Sequence, residues 1–152
     1  MYIMQHLLPL LKRFEGLHQL HQGLVYPYIC PAGFWTQGWG MLVKDGSAPP
    51  ITPAQADAQL IACLPGYVKA TFDLCPHLYL EPPQVAAALS DFTFNLGAGK
   101  LRASTLRTKV NAGDWAGACE ELTKWVNGGG RKLPGLIVRR NAEIQLIKEC
   151  YA

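Results

Sequence analysis

Apolar residues recur at helical spacing over most of this chain, with one interruption. Leu7, Leu10, Leu11 and Phe14 share a face and predict a helix over residues 1–14. The period is lost over residues 16–50. There Gly16, Gly23, Pro27, Pro31, Gly33, Gly38, Gly40, Gly46, Pro49 and Pro50 punctuate runs carrying Tyr26, Tyr28, Phe34, Trp35 and Trp39. Turn residues between strand formers predict a small β-rich lobe. The helical period returns at Thr52–Pro53–Ala54–Gln55, a capping Thr, a first-turn Pro and a Gln that completes a capping box. This helix runs to about Leu64, where Pro65–Gly66 ends or kinks it, and resumes through Phe72. Pro76 and Pro82–Pro83 mark a connection. Val85, Ala88, Leu89, Phe92 and Leu96 form the stripe of a helix over 84–96, stopped by Gly97 and Gly99. A short helix over Ser104–Val110 follows. Asp114 caps another, carrying Trp115, Cys119, Leu122 and Val126. Gly128–Gly129–Gly130 reads as a flexible break, and the last helix spans about Pro134–Cys150.

The predicted class is α+β with a helical majority, a single domain over 1–152 with a β-rich lobe (16–50) and a helical lobe (1–15 and 52–152). A boundary near residues 50–52 implies a cleft between lobes, where ligand sites tend to fall. The chain has 152 residues, 49% hydrophobic and 16% charged, which is enough apolar surface for a core and excludes intrinsic disorder. A net charge of +3 is too weak to point to nucleic acid and suits an acidic polymer. No apolar run approaches the ~20 residues of a membrane span. The short run Leu7–Leu11 is broken by Pro9, and neither a leading cationic region nor a small-residue cleavage site accompanies it, so no signal peptide is expected. Cys30, Cys63, Cys75, Cys119 and Cys150 are odd in number and widely spaced, which is neither a disulfide framework nor a zinc pattern. All but Cys30 read as buried small hydrophobes in a reduced compartment. His18 and His21 lack a third ligand and read as loop residues, as no metal or cofactor is expected.

Four segments carry candidate chemistry. Glu15 closes the first helix, where the negative end of the helix dipole and apolar neighbours favour its protonated form, as a general acid requires; the alternative is a solvated helix-end glutamate. Cys30 and Thr36 flank the turn Pro31–Ala32–Gly33 at opposite strand positions, so their side chains could meet across a hairpin. Gly38 and Gly40 leave backbone free of side chains, with room for a ligand; the other reading is an aromatic hairpin with Trp35 and Trp39 packed on the core. Asn95, beside Gly97 and Gly99, either meets a ligand or terminates its helix. Arg139 and Glu143 are spaced for a surface ion pair, while Arg140 falls on the stripe of Leu136, Ile137, Ile144 and Ile147, either snorkelling or paired with a carboxylate.

In order along the chain, Phe14–Glu15–Gly16, Cys30–Pro31–Ala32–Gly33–Phe34–Trp35–Thr36–Gln37–Gly38–Trp39–Gly40, Phe94–Asn95–Leu96–Gly97–Ala98–Gly99 with Ser104–Thr105–Leu106, Asn111–Ala112–Gly113–Asp114–Trp115, and Gly135–Leu136 with Arg139, Arg140 and Glu143 resemble the phage-type lysozymes of glycoside hydrolase family 24. The resemblance implies a lysozyme-like fold, with the two lobes joined by a long helix. It implies cleavage of the β-1,4 bond between N-acetylmuramic acid and N-acetylglucosamine in bacterial peptidoglycan during host lysis. It carries the family's glutamate, aspartate-or-cysteine and threonine onto Glu15, Cys30 and Thr36. Gly33, Phe34, Trp35, Asn95 and Ser104 become substrate contacts, and Arg140 a residue that holds Glu15. Cys30 would act as nucleophile, as holder of a water, or as a weak binder, with retention or inversion following accordingly. Two departures stand out. The stretch from Glu15 to Cys30, with His18–Gln19–Leu20–His21–Gln22 in it, is longer than the family pattern and reads as a loop insertion at the cleft edge. Met41 stands where many relatives carry histidine. The implied partner is peptidoglycan, with no nucleic acid and no stable membrane insertion, and the protein would be a monomer waiting in the host cytoplasm until another protein opens the membrane. The competing readings are a wall-binding module that grips glycan without cutting and a lytic transglycosylase.

Overall fold

A computed structural model describes residues 2–151. Its elements run α1 (Tyr2–Glu15), β1 (Leu20–His21), β2 (Leu24–Val25), β3 (Tyr28–Ile29), β4 (Trp35–Gln37), β5 (Met41–Leu42), α2 (Pro53–Leu74), a 3-10 turn (Pro76–Leu80), α3 (Pro83–Leu96), α4 (Ala98–Arg102), α5 (Thr105–Asn111), α6 (Trp115–Leu122), β6 (Asn127–Gly128), β7 (Arg131–Lys132) and α7 (Pro134–Cys150). The class is α+β with a helical majority. Met1, the first residue of the expected opening helix, lies outside the described residues.

The chain divides into two compact units. One takes the chain up to Leu11 and from Gly66 onward, and the other takes Lys12–Pro65. The division falls inside α1 and α2. The unit with the first five strands therefore also holds the last turn of α1 and the first half of α2, beyond the 16–50 span read from composition.

In the helical unit α3 lies at the centre. Every residue from Val85 to Thr93 is buried, so the apolar stripe belongs to a helix enclosed on all sides. Val85, Ala88, Leu89 and Phe92 pack in one core with Leu78, Leu101, Leu106, Val110, Leu122 and Ile147. The buried hydroxyls of Thr71 and Thr93 lie 2.7 Å apart, and Thr93 donates to the Leu89 carbonyl, so these two hydroxyls are satisfied inside the core. The Leu74 carbonyl accepts from Arg107 Nε at 2.9 Å and Asn111 Nδ2 at 3.0 Å, which closes the end of α2.

Proline 65 neither ends nor divides α2, which runs unbroken for 22 residues. A helical proline removes one N–H and crowds the carbonyl four residues back. That carbonyl belongs to Ile61, and both residues are exposed, on a face of the helix open to solvent. Pro9 stands in α1 on the same terms, with Gln5 exposed. Gly97 ends α3 at φ 92° as expected, but α4 begins at once and takes Gly99 into a helix. The glycine run at 128–130 is a hairpin rather than a flexible break. Asn127 pairs with Lys132 and Gly128 with Arg131, around Gly129 and Gly130 at φ 58° and 78°. Positive φ at both central residues is what a two-residue type I′ turn requires.

In the Lys12–Pro65 unit, β3, β4 and β5 form an antiparallel sheet with Tyr28 opposite Thr36, Ile29 opposite Trp35, and Gln37 opposite Met41. The stretch expected as a loop insertion is instead the β1–β2 hairpin, with Leu20 opposite Val25 and His21 opposite Leu24. Val25, fully buried, exchanges both backbone hydrogen bonds with Ile51, at 2.7 and 3.0 Å. Buried Gln37 donates to the Val25 carbonyl at 3.0 Å and the Pro49 carbonyl at 2.9 Å. The capping box forms as read: Gln55 N donates to Thr52 Oγ1 at 3.1 Å and Thr52 N to Gln55 Oε1 at 2.8 Å. The cysteines are free thiols. Only Cys75 and Cys119 are buried, while Cys63 and Cys150 are half-buried rather than core residues.

Candidate functional site

Glu15 is the last residue of α1 and half-buried. Gly40, between β4 and β5 with φ 89°, passes its backbone against the carboxylate, where a Cβ would lie 2.8 Å from Glu15 Oε2. Gly38, with φ 63°, does the same for α2, where a Cβ would lie 3.2 Å from Ala56 Cβ. The room expected at Gly38 and Gly40 is therefore filled by the protein itself, by Ala56 and by the Glu15 carboxylate.

Cys30 and Thr36 are not opposite each other. The ladder sets Thr36 opposite Tyr28, and Cys30 N donates to the Phe34 carbonyl at 2.9 Å, so Cys30 and Thr36 are diagonal neighbours on one face. Burial pushes the Cys30 thiol up, but hydrogen bonds from the backbone at Phe34, the Thr36 hydroxyl and the backbone at Ala32 and Gly33 outweigh it, and the thiol titrates below its ordinary value. The Thr36 hydroxyl also donates to the Phe34 carbonyl at 3.0 Å, and its single proton serves one acceptor at a time. Tyr28 joins this group. Burial, then the negative charges of Glu15 and Cys30, push its phenol up, so both are close enough for their charge to act on it.

The hairpin tip is open: Gly33 has nothing near its Cβ position, and Phe34 is 60% exposed. Trp35 lies over Gly46, where a Cβ would meet its ring at 2.6 Å. Trp39 is a tie between elements. Its indole N–H donates to Asp57 Oδ1 at 2.7 Å, and Lys12 Nζ sits 5.0 Å from its ring centroid and 3.0 Å from the same carboxylate oxygen. The Lys12 ammonium and then the Trp39 indole hold Asp57 below the usual carboxylate range.

In the helical unit the expected surface pair is buried. Arg139 is 4% exposed and Glu143 fully buried. Arg139 Nε and Nη2 each donate to Asp91 at 2.8 Å. Arg140, also fully buried, gives Nη2 to Glu143 Oε1 and Asn95 Oδ1, both at 2.8 Å, and lies 5.1 Å from the Phe92 ring centroid. Burial pushes the Glu143 carboxyl well up, against the pull of Arg140. Within its own unit the Arg140 guanidinium, which the sequence offered as a holder for Glu15, uses Nη2 on Glu143 and Asn95. Ser104 is the N-cap of α5: its hydroxyl accepts from Arg107 N at 3.1 Å and donates to the Leu101 carbonyl at 2.7 Å.

Residues 12–143 match the family model of the phage lysozymes. The chain belongs to this family. An endolysin of Acyrthosiphon pisum secondary endosymbiont phage 1 is 38% identical over 152 residues, covering 97% of this chain and 99% of the relative. The crystal structure of the active form of P1 phage endolysin Lyz superposes with a TM-score of 0.82 at 25% identity, over 97% of this chain and 85% of that one. The muramidase domain of SpmX from Asticaccaulis excentricus gives 0.74 at 29% identity, over 91% and 92%.

Glu15, Cys30, Thr36 and Tyr28 all lie within the Lys12–Pro65 unit. Sequence reading passed over Tyr28 and Asp57. Tyr28 was legible in principle, two residues before Cys30 and hence on the same face of a strand; Asp57 carried no such signal. Alkylation of Cys30 is expected to follow a pH profile centred below that of a free cysteine, and Thr36→Val is expected to move it upward by removing a donor to the thiolate. Mass-resolved labelling of the Cys30 peptide reads both. Coincident profiles for wild type and Thr36→Val would remove Thr36 from the account of the sulfur.

Proposed function

We infer that this protein is a peptidoglycan hydrolase, a lysozyme-type glycoside hydrolase that cuts the β-1,4 bond between N-acetylmuramic acid and N-acetylglucosamine in phage lysis of a bacterial host. The observation that carries the reading is the Glu15 carboxylate seated against Gly40, in the same unit as a thiol whose charged form is supported by Thr36 and a backbone turn. Glu15 protonates the leaving glycosidic oxygen. The Cys30 thiolate supplies negative charge to the sugar as positive charge develops there, with Thr36 holding it in that state, and water then adds to the sugar carbon and gives up the proton that restores the acid. Gly33 and Phe34, open at the hairpin tip, offer contact to the glycan, while Trp35 shapes the hairpin through Gly46.

The chain works as a single catalytic domain and as a monomer, on the bacterial wall and without a nucleic-acid partner. It waits inside the host cell until a separate protein opens the membrane. Supporting this, α1 turns its apolar residues inward, with Leu7 and Leu11 fully buried.

Mass spectrometry of fragments released from purified peptidoglycan tests the reading. Reducing-end fragments are expected. Anhydro ends would make the protein a lytic transglycosylase, and binding without release would make it a wall-binding module.

Gly40→Ala is expected to slow this hydrolysis at least about tenfold by displacing the acid. The strain of an alanine at φ 89° costs only about 1–2 kcal/mol of stability. Rates of wall solubilisation compared at equal folded fraction check this; an unslowed variant would mean that the carboxylate works equally well elsewhere.

A further inference from the structure

The residues between Glu15 and Cys30 are built into the Lys12–Pro65 unit. Gln19, at φ 57°, turns the chain immediately after His18, and Tyr26 N donates to the Gln19 carbonyl at 3.1 Å, closing the base of the hairpin. Beyond that base the two strands leave as His18 and Tyr28. Their ring centroids lie 5.1 Å apart at an interplanar angle of 59°. The same imidazole covers the residue after the acid, where a Cβ on Gly16 would lie 3.4 Å from His18 Nε2. Tyr28 in turn stands opposite Thr36 and two residues from Cys30, so these three share a face. The anchor is Val25, held by both backbone bonds to Ile51 and by Gln37.

We propose that the β1–β2 hairpin is a brace for the reaction site and that His18 is a positioning residue, holding Tyr28 beside Glu15, Cys30 and Thr36. The charges of Glu15 and Cys30 act on the Tyr28 phenol, so a shift of that ring alters the surroundings of both groups. His18 works through Tyr28 and through the turn at Gly16, without touching the sugar. The inference rests on the reading of Glu15 and Cys30 as the reacting pair.

The test is a double-mutant cycle on the full chain, with His18→Ala, Tyr28→Ala and both together. Rates are measured on soluble peptidoglycan fragments and normalised to folded protein. Each single substitution is expected to lower kcat about tenfold with KM within about twofold. The double variant is expected to fall no lower than the weaker single, because both remove one support. His18→Phe, which keeps a ring against Tyr28, is expected to recover most of the loss. His18 is exposed, so its removal leaves the core intact. Additive losses, a wild-type kcat for His18→Ala, or a His18→Phe as slow as His18→Ala would overturn the brace. Glu15→Gln in the same assay separates the two failures. If it is inactive while His18→Ala is unchanged, only the brace is lost; if it remains active, the reacting pair itself was misassigned.

Discussion

Glu15→Gln is expected to lower peptidoglycan hydrolysis by about a thousandfold, with the fold retained. Glutamine keeps the shape of the side chain, so the close fit against Gly40 survives the exchange. What it cannot do is give a proton to the leaving oxygen. General acid catalysis contributes about 10²–10⁴ in rate, and a bond as resistant as a glycosidic one needs the full amount. The loss should fall on kcat, because the exchange leaves untouched the open hairpin tip at Gly33 and Phe34, the proposed glycan contact. The measurement is the release of reducing ends from purified walls, beside the thermal midpoint. A variant that kept a tenth of the wild-type rate would place the acid elsewhere in the molecule.

Asp91→Ala is expected to be the most damaging single substitution for stability, at about 3–5 kcal/mol. Asp91 is fully buried in α3 and receives two hydrogen bonds at 2.8 Å from Arg139, whose side chain is 5% exposed. Removing the carboxylate leaves the guanidinium in the interior without its bidentate partner. The desolvation cost of the arginine remains while its two hydrogen bonds to Asp91 are lost. Asp91→Asn keeps an acceptor and should lose less. Urea denaturation read as a shift in midpoint at constant slope would measure both. A loss under about 1 kcal/mol for Asp91→Ala would show that the arginine leaves the core easily, and that the ion pair follows the packing rather than maintaining it.

The helices were legible where one rule acted alone. Thr52 with Gln55 and Asp114 each sit before an apolar period, and each caps its helix, whereas Ser104, read as part of its helix, is the cap before it. Where two rules competed, the local one lost. Pro65 forbids a helix only if the carbonyl it abandons has no water, and exposure is not written in the local sequence. Arg139 and Glu143 look like a solvated pair because charge spacing carries no information about what covers it; burial came from α3, some 48 residues earlier. In the Lys12–Pro65 unit, the turn at Pro31–Gly33 and the strands beside it were readable. The register was not, and it moved Thr36 from opposite Cys30 to opposite Tyr28. The glycines at 38 and 40 were read as empty space because a sequence shows the missing side chain and not the neighbour that needs its absence.

The β1–β2 hairpin also decides where the protein tolerates lengthening. Its base is zipped by the Gln19–Tyr26 hydrogen bond, and its tip is the two-residue turn at Gln22 and Gly23, at φ 50° and 78°, both exposed. Chain added at such a tip is looped out beyond a closed gate. The entropy of joining Glu15 to Cys30 then depends on the short path through the gate, not on the number of residues outside it. A peptide epitope grafted between Gln22 and Gly23 would hang outside the catalytic geometry, whereas the same graft within Pro31–Gly33 would pull apart the backbone that supports the sulfur.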